Sequence, residues 1–315
     1  MAPFGLAALA SAPPSFRAAR RLPSRLHMAP LRVCVTGAGG RTGLMALRRM
    51  AERPEAFSAF GTARTQESAA QVTKQTKAEC RVCNVLEKDQ AAAVLAGVDV
   101  LVVLSSATPK PNKLKMLGVL CKKFCLCNKT ANIGAAFEYP KNGMPERVDW
   151  EGVRNLLDEA ARVGVKHVIV VGSMGGTITD HFLNKMGGGN ILLWKRKAEI
   201  HLINSGLCYT IIHPGGLLPH MGNKVVPGGQ RKLVVAVDDE LMNRKTRSIP
   251  REDVAEVVVQ CALNRDASAG RAFDLCSEEP EPDGKSAWDR DLKALLDTLG
   301  GKNCDYASPK HEILG

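Results

Sequence analysis

A run of β-branched residues that breaks into evenly spaced glycines and reopens as a helix leaves a chain few folds to choose from. Residues 33–43 read Val-Cys-Val-Thr-Gly-Ala-Gly-Gly-Arg-Thr-Gly and continue as Leu44-Met45-Ala46-Leu47-Arg48-Arg49-Met50. Gly37, Gly40 and Gly43 are spaced G-x-x-G-x-x-G. Strand, tight turn and helix start follow one another, as in the fingerprint where a glycine turn lets backbone N–H groups approach a pyrophosphate at a helix N-terminus. Gly37, Gly39, Gly40, Arg41, Thr42 and Gly43 are therefore the expected phosphate cradle, and the fold class is α/β with a doubly wound parallel sheet.

With 315 residues the chain can bury one large core or two modest ones. Hydrophobic residues make up 45%, yet no stretch has the uninterrupted apolar length of a membrane span, so a soluble protein without a span is expected. The net charge of +11 would suit nucleic acid, but four arginines lie in the first 28 residues, leaving +7 for the rest. Lys110, Lys113, Lys115, Lys122 and Lys123, then Lys195-Arg196-Lys197, then Arg244, Lys245 and Arg247 read better as solvated bases and contacts to an anionic cofactor. Ten cysteines without regular spacing indicate reduced thiols rather than a disulfide framework. Cys80, Cys83, Cys125 and Cys127 lack the spacing and the histidines of a zinc site, and no metal is expected.

Residues 1–28 are rich in Ala, Ser, Pro and Arg, and no acidic residue precedes Glu52. That composition predicts an organelle transit peptide, with chloroplast first and mitochondrion as the alternative. Beyond it, a helix over 42–51 leads to a strand over 59–63 that ends at Arg64-Thr65. NAD sites carry an acidic residue near this point for the ribose 2′-hydroxyl, whereas Arg64, with Arg41, suits a 2′-phosphate; NADP is expected over NAD. A third strand over 80–85 places Asn84 at its end, where its amide could meet the adenine edge. A buried parallel strand over 98–104 ends in Leu104-Ser105-Ser106-Ala107, small residues that leave room for the cofactor's ribose.

Residues 108–147 form a long excursion with a helix near 113–122, of the kind that borders active sites. A helix over 150–163, a strand over 167–171, a helix over 193–204 and a strand over 209–212 restore the alternation. An extra strand over 233–237, a helix from Arg251, a last strand at 273–275 and a terminal helix over 288–299 complete the pattern.

Thr-Gly-Ala-Gly-Gly-Arg-Thr-Gly at 36–43, Val-Gly-Ser-Met-Gly-Gly-Thr at 171–177, Trp-Lys-Arg-Lys-Ala-Glu at 194–199 and Ile-Pro-Arg-Glu-Asp-Val-Ala at 249–255 resemble the atypical, NmrA-like branch of the short-chain dehydrogenase/reductase family, over roughly residues 31–299. The resemblance implies a Rossmann core holding NADP across the strand C-termini, a smaller substrate-binding portion mainly in 214–285 and a tail over 300–315. It implies Ser173 as the active-site serine, Lys197 as the lysine on the nicotinamide ribose, and Pro214 and Gly215 as the loop over the nicotinamide. One position departs: Leu193 stands where the family's proton-donating tyrosine would precede Lys197 by four.

A ketone needs an acid for the developing alkoxide, whereas flavins and quinones delocalise the charge. The expected function is thus NADP(H)-dependent reduction of a small conjugated acceptor. A non-catalytic NADP(H)-binding regulator is the second reading. An organelle RNA-binding or assembly factor, prompted by the bases between Lys110 and Lys129, ranks last because aromatic residues for base stacking are only 4%. A small-molecule substrate is expected, and a homodimer is left open.

Overall fold

The computed structural model describes residues 29–124, 133–219, 226–280 and 287–307. The expected transit segment at 1–28, Cys125, Cys127, Lys129 and the end of the tail at 308–315 lie outside the described residues.

Strand β1 (Leu31–Thr36) is buried from Val33 onward, because the sheet is covered on both faces, and it delivers the chain into helix α1 (Arg41–Ala51). Strand β2 (Phe57–Ala63), helix α2 (Gln66–Thr76), strand β3 (Cys80–Val82), helix α3 (Lys88–Leu95) and strand β4 (Val100–Val103) complete the first half. A ribbon of β5 (Lys110–Pro111) and β6 (Phe137–Glu138) flanks helix α4 (Lys113–Phe124). A widened π turn at Glu146–Gly152 leads into α5 (Val153–Val163). Strand β7 (His167–Val171), the short helix α6 (Phe182–Lys185), helix α7 (Ile191–Asn204), strand β8 (Tyr209–Pro214) and strands β9 (Gly216–Leu218), β10 (Leu233–Ala236) and β11 (Ser248–Pro250) follow. Helices α8 (Arg251–Leu263) and α9 (Arg265–Ser268), strand β12 (Arg271–Ser277) and helix α10 (Leu292–Asp297) close the described fold.

The sheet runs β3-β2-β1-β4-β7-β8-β12-β11-β9, with β10 also on β12. All pairs from β3 through β8 to β12 are parallel, and the antiparallel pairings are those of β12 with β10 and β11. Strand order reverses between β1 and β4, and at such a switch the crevice beyond the strand C-termini opens to a ligand. This is the doubly wound α/β fold of Rossmann type that the glycine turn predicted.

The third strand stops at Val82 rather than Val85, because the Asn84 side chain turns the chain by accepting from the Leu86 amide at 3.3 Å. The terminal helix starts at Leu292, where the Asp291 carboxylate caps it through the Ala294 amide at 2.9 Å; Trp288 is spent earlier on the Arg231 carbonyl.

On β7, His167 is fully buried, and its Nε2 lies 2.8 Å from the Thr210 hydroxyl, which itself donates to the Ser268 carbonyl. The imidazole therefore donates through Nε2, and its Nδ1 has no partner among the described residues. Burial, then the nearby charge of Arg265, pushes the His167 pKa down to about 4. Since the unfolded imidazole titrates near 6.5, stability is lost as pH falls from there towards about 4, by up to about 3 kcal/mol. Urea unfolding across that interval should show the loss, and His167→Gln should flatten it; an equal slope in both proteins would contradict the assignment.

Candidate functional site

The glycine turn is built for close approach. Gly37 sits at φ +66°, and a Cβ there would lie 2.6 Å from the backbone of Leu104 and Ser105, so the ends of β1 and β4 touch at this point. A Cβ on Gly43 would strike the Gly37 carbonyl, which is how the first turn of α1 packs beneath the loop. Thr36 fastens the same junction through its hydroxyl to the Val102 carbonyl at 3.3 Å.

Helix α1 begins at Gly40 with no side-chain cap and no acidic residue in its first turn, while Arg48 and Arg49 complement its far end. Its orphan N–H groups and positive dipole end are thus left to an outside anion. Beside them the Ser105 hydroxyl is buried without a hydrogen-bond partner among the described residues. These features fit a dinucleotide phosphate.

Arg41 and Arg64 are both exposed at this end of the sheet. A third guanidinium, which the sequence reading did not single out, joins them: Arg251, the first residue of α8, is held below its usual pKa by burial and by the charge of Arg41. Asn84 lies two residues past β3, and its carbonyl oxygen is engaged in the turn described above.

The end of β4 is anchored from a distance. Asp149, from the π turn, is fully buried, accepts from the Ser106 hydroxyl at 2.8 Å and the Ala107 amide at 2.9 Å, and pairs with Lys195 Nζ at 2.8 Å. Lys195 thus ties α7, through Asp149, to the residues just past β4. Lys197, expected on the nicotinamide ribose, lies over the rings of Trp150 and Trp194, 5.2 and 5.6 Å from their centres. Two residues along a helix rotate a side chain by roughly 200°, which is why one lysine faces the sheet edge and the other the tryptophans. Ile191 precedes Lys195 by four and Leu193 precedes Lys197 by four, so neither register supplies a phenol. Burial and then the charge of Asp149 push the Tyr139 pKa to about 12, and its ring packs over Gly187 and Gly189.

Ser173 is half-buried in the turn after β7, its hydroxyl donating to the Met174 carbonyl at 3.0 Å. Met174 in turn donates to the Pro214 carbonyl at 3.1 Å, which holds the serine turn against the β8 end, where Gly215 donates to Leu275 at 2.9 Å. Asp239 stitches the turn shut, accepting from the Gly175 amide at 2.6 Å, the Thr177 amide at 2.9 Å and the Thr177 hydroxyl at 2.7 Å. Asp238 and Asp239 both occupy the left-handed region, at φ 53° and 64°, strain retained to aim that carboxylate.

Directly behind Gly172 lies a buried polar cluster. His213 on β8 stands between Glu199, 3.2 Å from Nε2, and Asp274, 3.2 Å from Nδ1. The Tyr306 hydroxyl lies 3.1 Å from the same Glu199 oxygen, and Arg196 stacks 3.5 Å above the Tyr306 ring. Burial disfavours the charged imidazole, but the charge of Glu199 and the bonds to Asp274, Cys304 and Glu199 outweigh it and hold His213 well above its usual range. His213, Asp274 and Cys304 offer ligand-type atoms within 4.8 Å of one another, and these atoms are already engaged with each other and with Glu199. The thiols of Cys80 and Cys83 are pushed up to about 11, chiefly by burial.

Glycine turn, uncapped helix and anchored β4 edge together define a nucleotide-binding α/β protein. A family model described as NAD(P)H-binding matches residues 37–265, and the chain belongs to that family, on its atypical short-chain dehydrogenase/reductase side. A chloroplastic protein of Arabidopsis thaliana is 41% identical over 85% of this chain and 75% of its own length. Sanguinarine reductase of Eschscholzia californica is 39% identical over 84% of this chain and 95% of its own length. Among solved structures, an oxidoreductase of Lactococcus lactis superposes with TM-score 0.55 at 18% identity, covering 87% of this chain and 98% of that one, a likeness of fold.

Proposed function

We propose that the protein is an NADPH-dependent reductase of a small conjugated acceptor, working in the chloroplast. The observation that carries the reading is a dinucleotide cradle with no tyrosine four residues ahead of Lys195 or Lys197: the chain has the glycine turn for the cofactor and, at the family's position, no phenol to protonate a ketone's alkoxide. Bound NADPH supplies the hydride. Gly37 and the α1 N-terminus hold its pyrophosphate, Arg41 and Arg64 its 2′-phosphate, and Lys195, oriented by Asp149, its nicotinamide ribose. Leu104, Ser105 and Ser106 line the ribose side, Asn84 the adenine side, and Pro214 and Gly215 cover the nicotinamide. The Ser173 hydroxyl turns from the Met174 carbonyl to donate to the polar end of the acceptor, and β9 to β11 form the wall against which it rests. Sanguinarine reductase supports the activity, and the chloroplastic Arabidopsis relative supports the compartment.

Stopped-flow oxidation of NADPH by a panel of flavins, quinones and iminium dyes should give acceptor-dependent turnover. Tight nucleotide binding with no turnover across the panel would favour a regulator that senses NADPH, the reading favoured by Ile191 and Leu193. Cofactor choice is tested separately. Arg41→Ala and Arg64→Ala should each weaken NADPH about tenfold, the loss of one charge-assisted phosphate contact, and leave NADH within about twofold. Equal losses for both nucleotides would reject the 2′-phosphate assignment.

A further inference from the structure

Helix α4 carries an apolar stripe that faces solvent. Its sequence, Lys-Leu-Lys-Met-Leu-Gly-Val-Leu-Cys-Lys-Lys-Phe, has four lysines and no acid. Leu114 is 83% exposed and Leu117 is 68% exposed, with Gly118 and Cys121 exposed beside them. Positions 114, 117, 118 and 121 share one face of a helix. The opposite side packs on the 3₁₀ turn Ile133–Ala136, which also meets α6, where Phe182 is 64% exposed. Exposed apolar residues on a monomer are ordinarily scattered. Here six of the nine large exposed ones among the described residues, Leu114, Leu117, Ile133, Met144, Ile178 and Phe182, lie on the two excursions that follow β4 and β7.

We infer that this face docks on an anionic lipid surface, with α4 lying in the plane of the interface. Leucines on a convex helix face, flanked by the exposed Lys110 and Lys113 and with no acid on the helix, match the arrangement in which apolar side chains enter the headgroup boundary while lysines reach anionic headgroups. Lys115 is engaged with Glu138 at 2.6 Å and takes a smaller share. At 12 residues α4 is too short to span a bilayer, and among the described residues no helix is long and apolar enough to do so, so the contact is peripheral. Because the two excursions border the carboxyl ends of β4 and β7, docking turns the mouth of the nucleotide site towards the bilayer, where an apolar acceptor concentrates; that consequence rests on the proposed reductase activity, whereas the docking does not.

The test is co-sedimentation of the full chain with phosphatidylcholine vesicles, with and without phosphatidylglycerol. Wild type should partition onto the anionic vesicles in a salt-sensitive way, and Leu114→Ser/Leu117→Ser should weaken that partition about tenfold with an unchanged Tm. Lys110→Gln/Lys113→Gln should weaken it less and flatten its salt dependence. Equal binding of wild type and the leucine variant would overturn the inference and leave the arginines of residues 1–28 as the attachment. So would indifference to phosphatidylglycerol, or a leucine variant that turns a dimer into a monomer in sedimentation velocity, which would make the face a contact between copies. NADPH turnover with a water-soluble acceptor, measured on the same proteins, should be unchanged in the leucine variant and reports on the reductase activity independently of vesicle binding.

Discussion

Exchanging Lys195 for methionine should raise the Kd for NADPH at least about tenfold and lower kcat/KM further, whereas Lys197→Met should change both less than about threefold. Lys195 is only 15% exposed and its ammonium sits 2.8 Å from a carboxylate with no exposure of its own, so the pair holds one geometry and presents the ammonium at the β4 edge. Lys197 lies over two indole rings. Asp149→Ala should be the more damaging partner change. It strips the acceptor from the Ser106 hydroxyl and the Ala107 amide and leaves Lys195 half-buried without its counter-ion, a loss of about 3–5 kcal/mol of stability together with the cofactor affinity. Asp149→Asn, which keeps the shape and one acceptor oxygen, should fall between. Titration calorimetry for the nucleotide and urea unfolding for stability separate the two effects. A larger loss from Lys197→Met than from Lys195→Met would return the role to Lys197.

The two lysines also show which part of the site sequence patterning can reach. The phosphate turn is local: Gly37 needs a positive φ, Gly43 must pass the Gly37 carbonyl, and both demands are written within seven residues. Whether Lys195 or Lys197 faces the cofactor depends on Asp149, a residue from another element, and the WKRK run carries no trace of it. Strands β9 and β11 leave no pattern in the sequence because each has three residues, too few for a period of two, and they begin at Gly216 and end at Pro250. The buried cluster did leave a mark. His213 follows Ile211-Ile212, and Asp274 stands between Phe273 and Leu275, so each places an ionisable side chain inside an apolar strand. Such a residue has to find a charged partner, but nothing in its own strand names Glu199 on α7 or Tyr306 near the end of the chain.

That cluster makes the second strong prediction. Removing the Glu199 carboxylate by Glu199→Ala should cost about 3–5 kcal/mol, because it strips the buried His213 imidazolium and the Arg196 guanidinium of the carboxylate they share. The milder Glu199→Gln keeps the packing and isolates the charge. The folded pKa of His213 lies well above the unfolded value near 6.5, so its contribution is complete below that value and is lost as pH rises through the folded pKa. Glu199 behaves oppositely: burial would raise it, but His213 and Arg196 hold it below its usual range, and its contribution persists above the unfolded carboxylate value and fades as acid drives it through the lowered one. Together the pair stabilises the fold across neutral pH, with its loss on the alkaline side set by His213. In Glu199→Gln the imidazolium keeps Asp274 alone, its pKa falls, and the alkaline loss of stability should begin closer to neutrality than in wild type. Tyr306→Phe removes a hydroxyl from Glu199 and leaves the ring beneath Arg196, so about 1 kcal/mol is expected there. Urea unfolding between neutral and mildly alkaline pH, run as a double-mutant cycle on Glu199→Gln and His213→Gln, measures the coupling directly. An interaction above about 1 kcal/mol that shrinks with rising pH is the expected result, and strictly additive losses would mean that the two side chains are held by the fold rather than by each other.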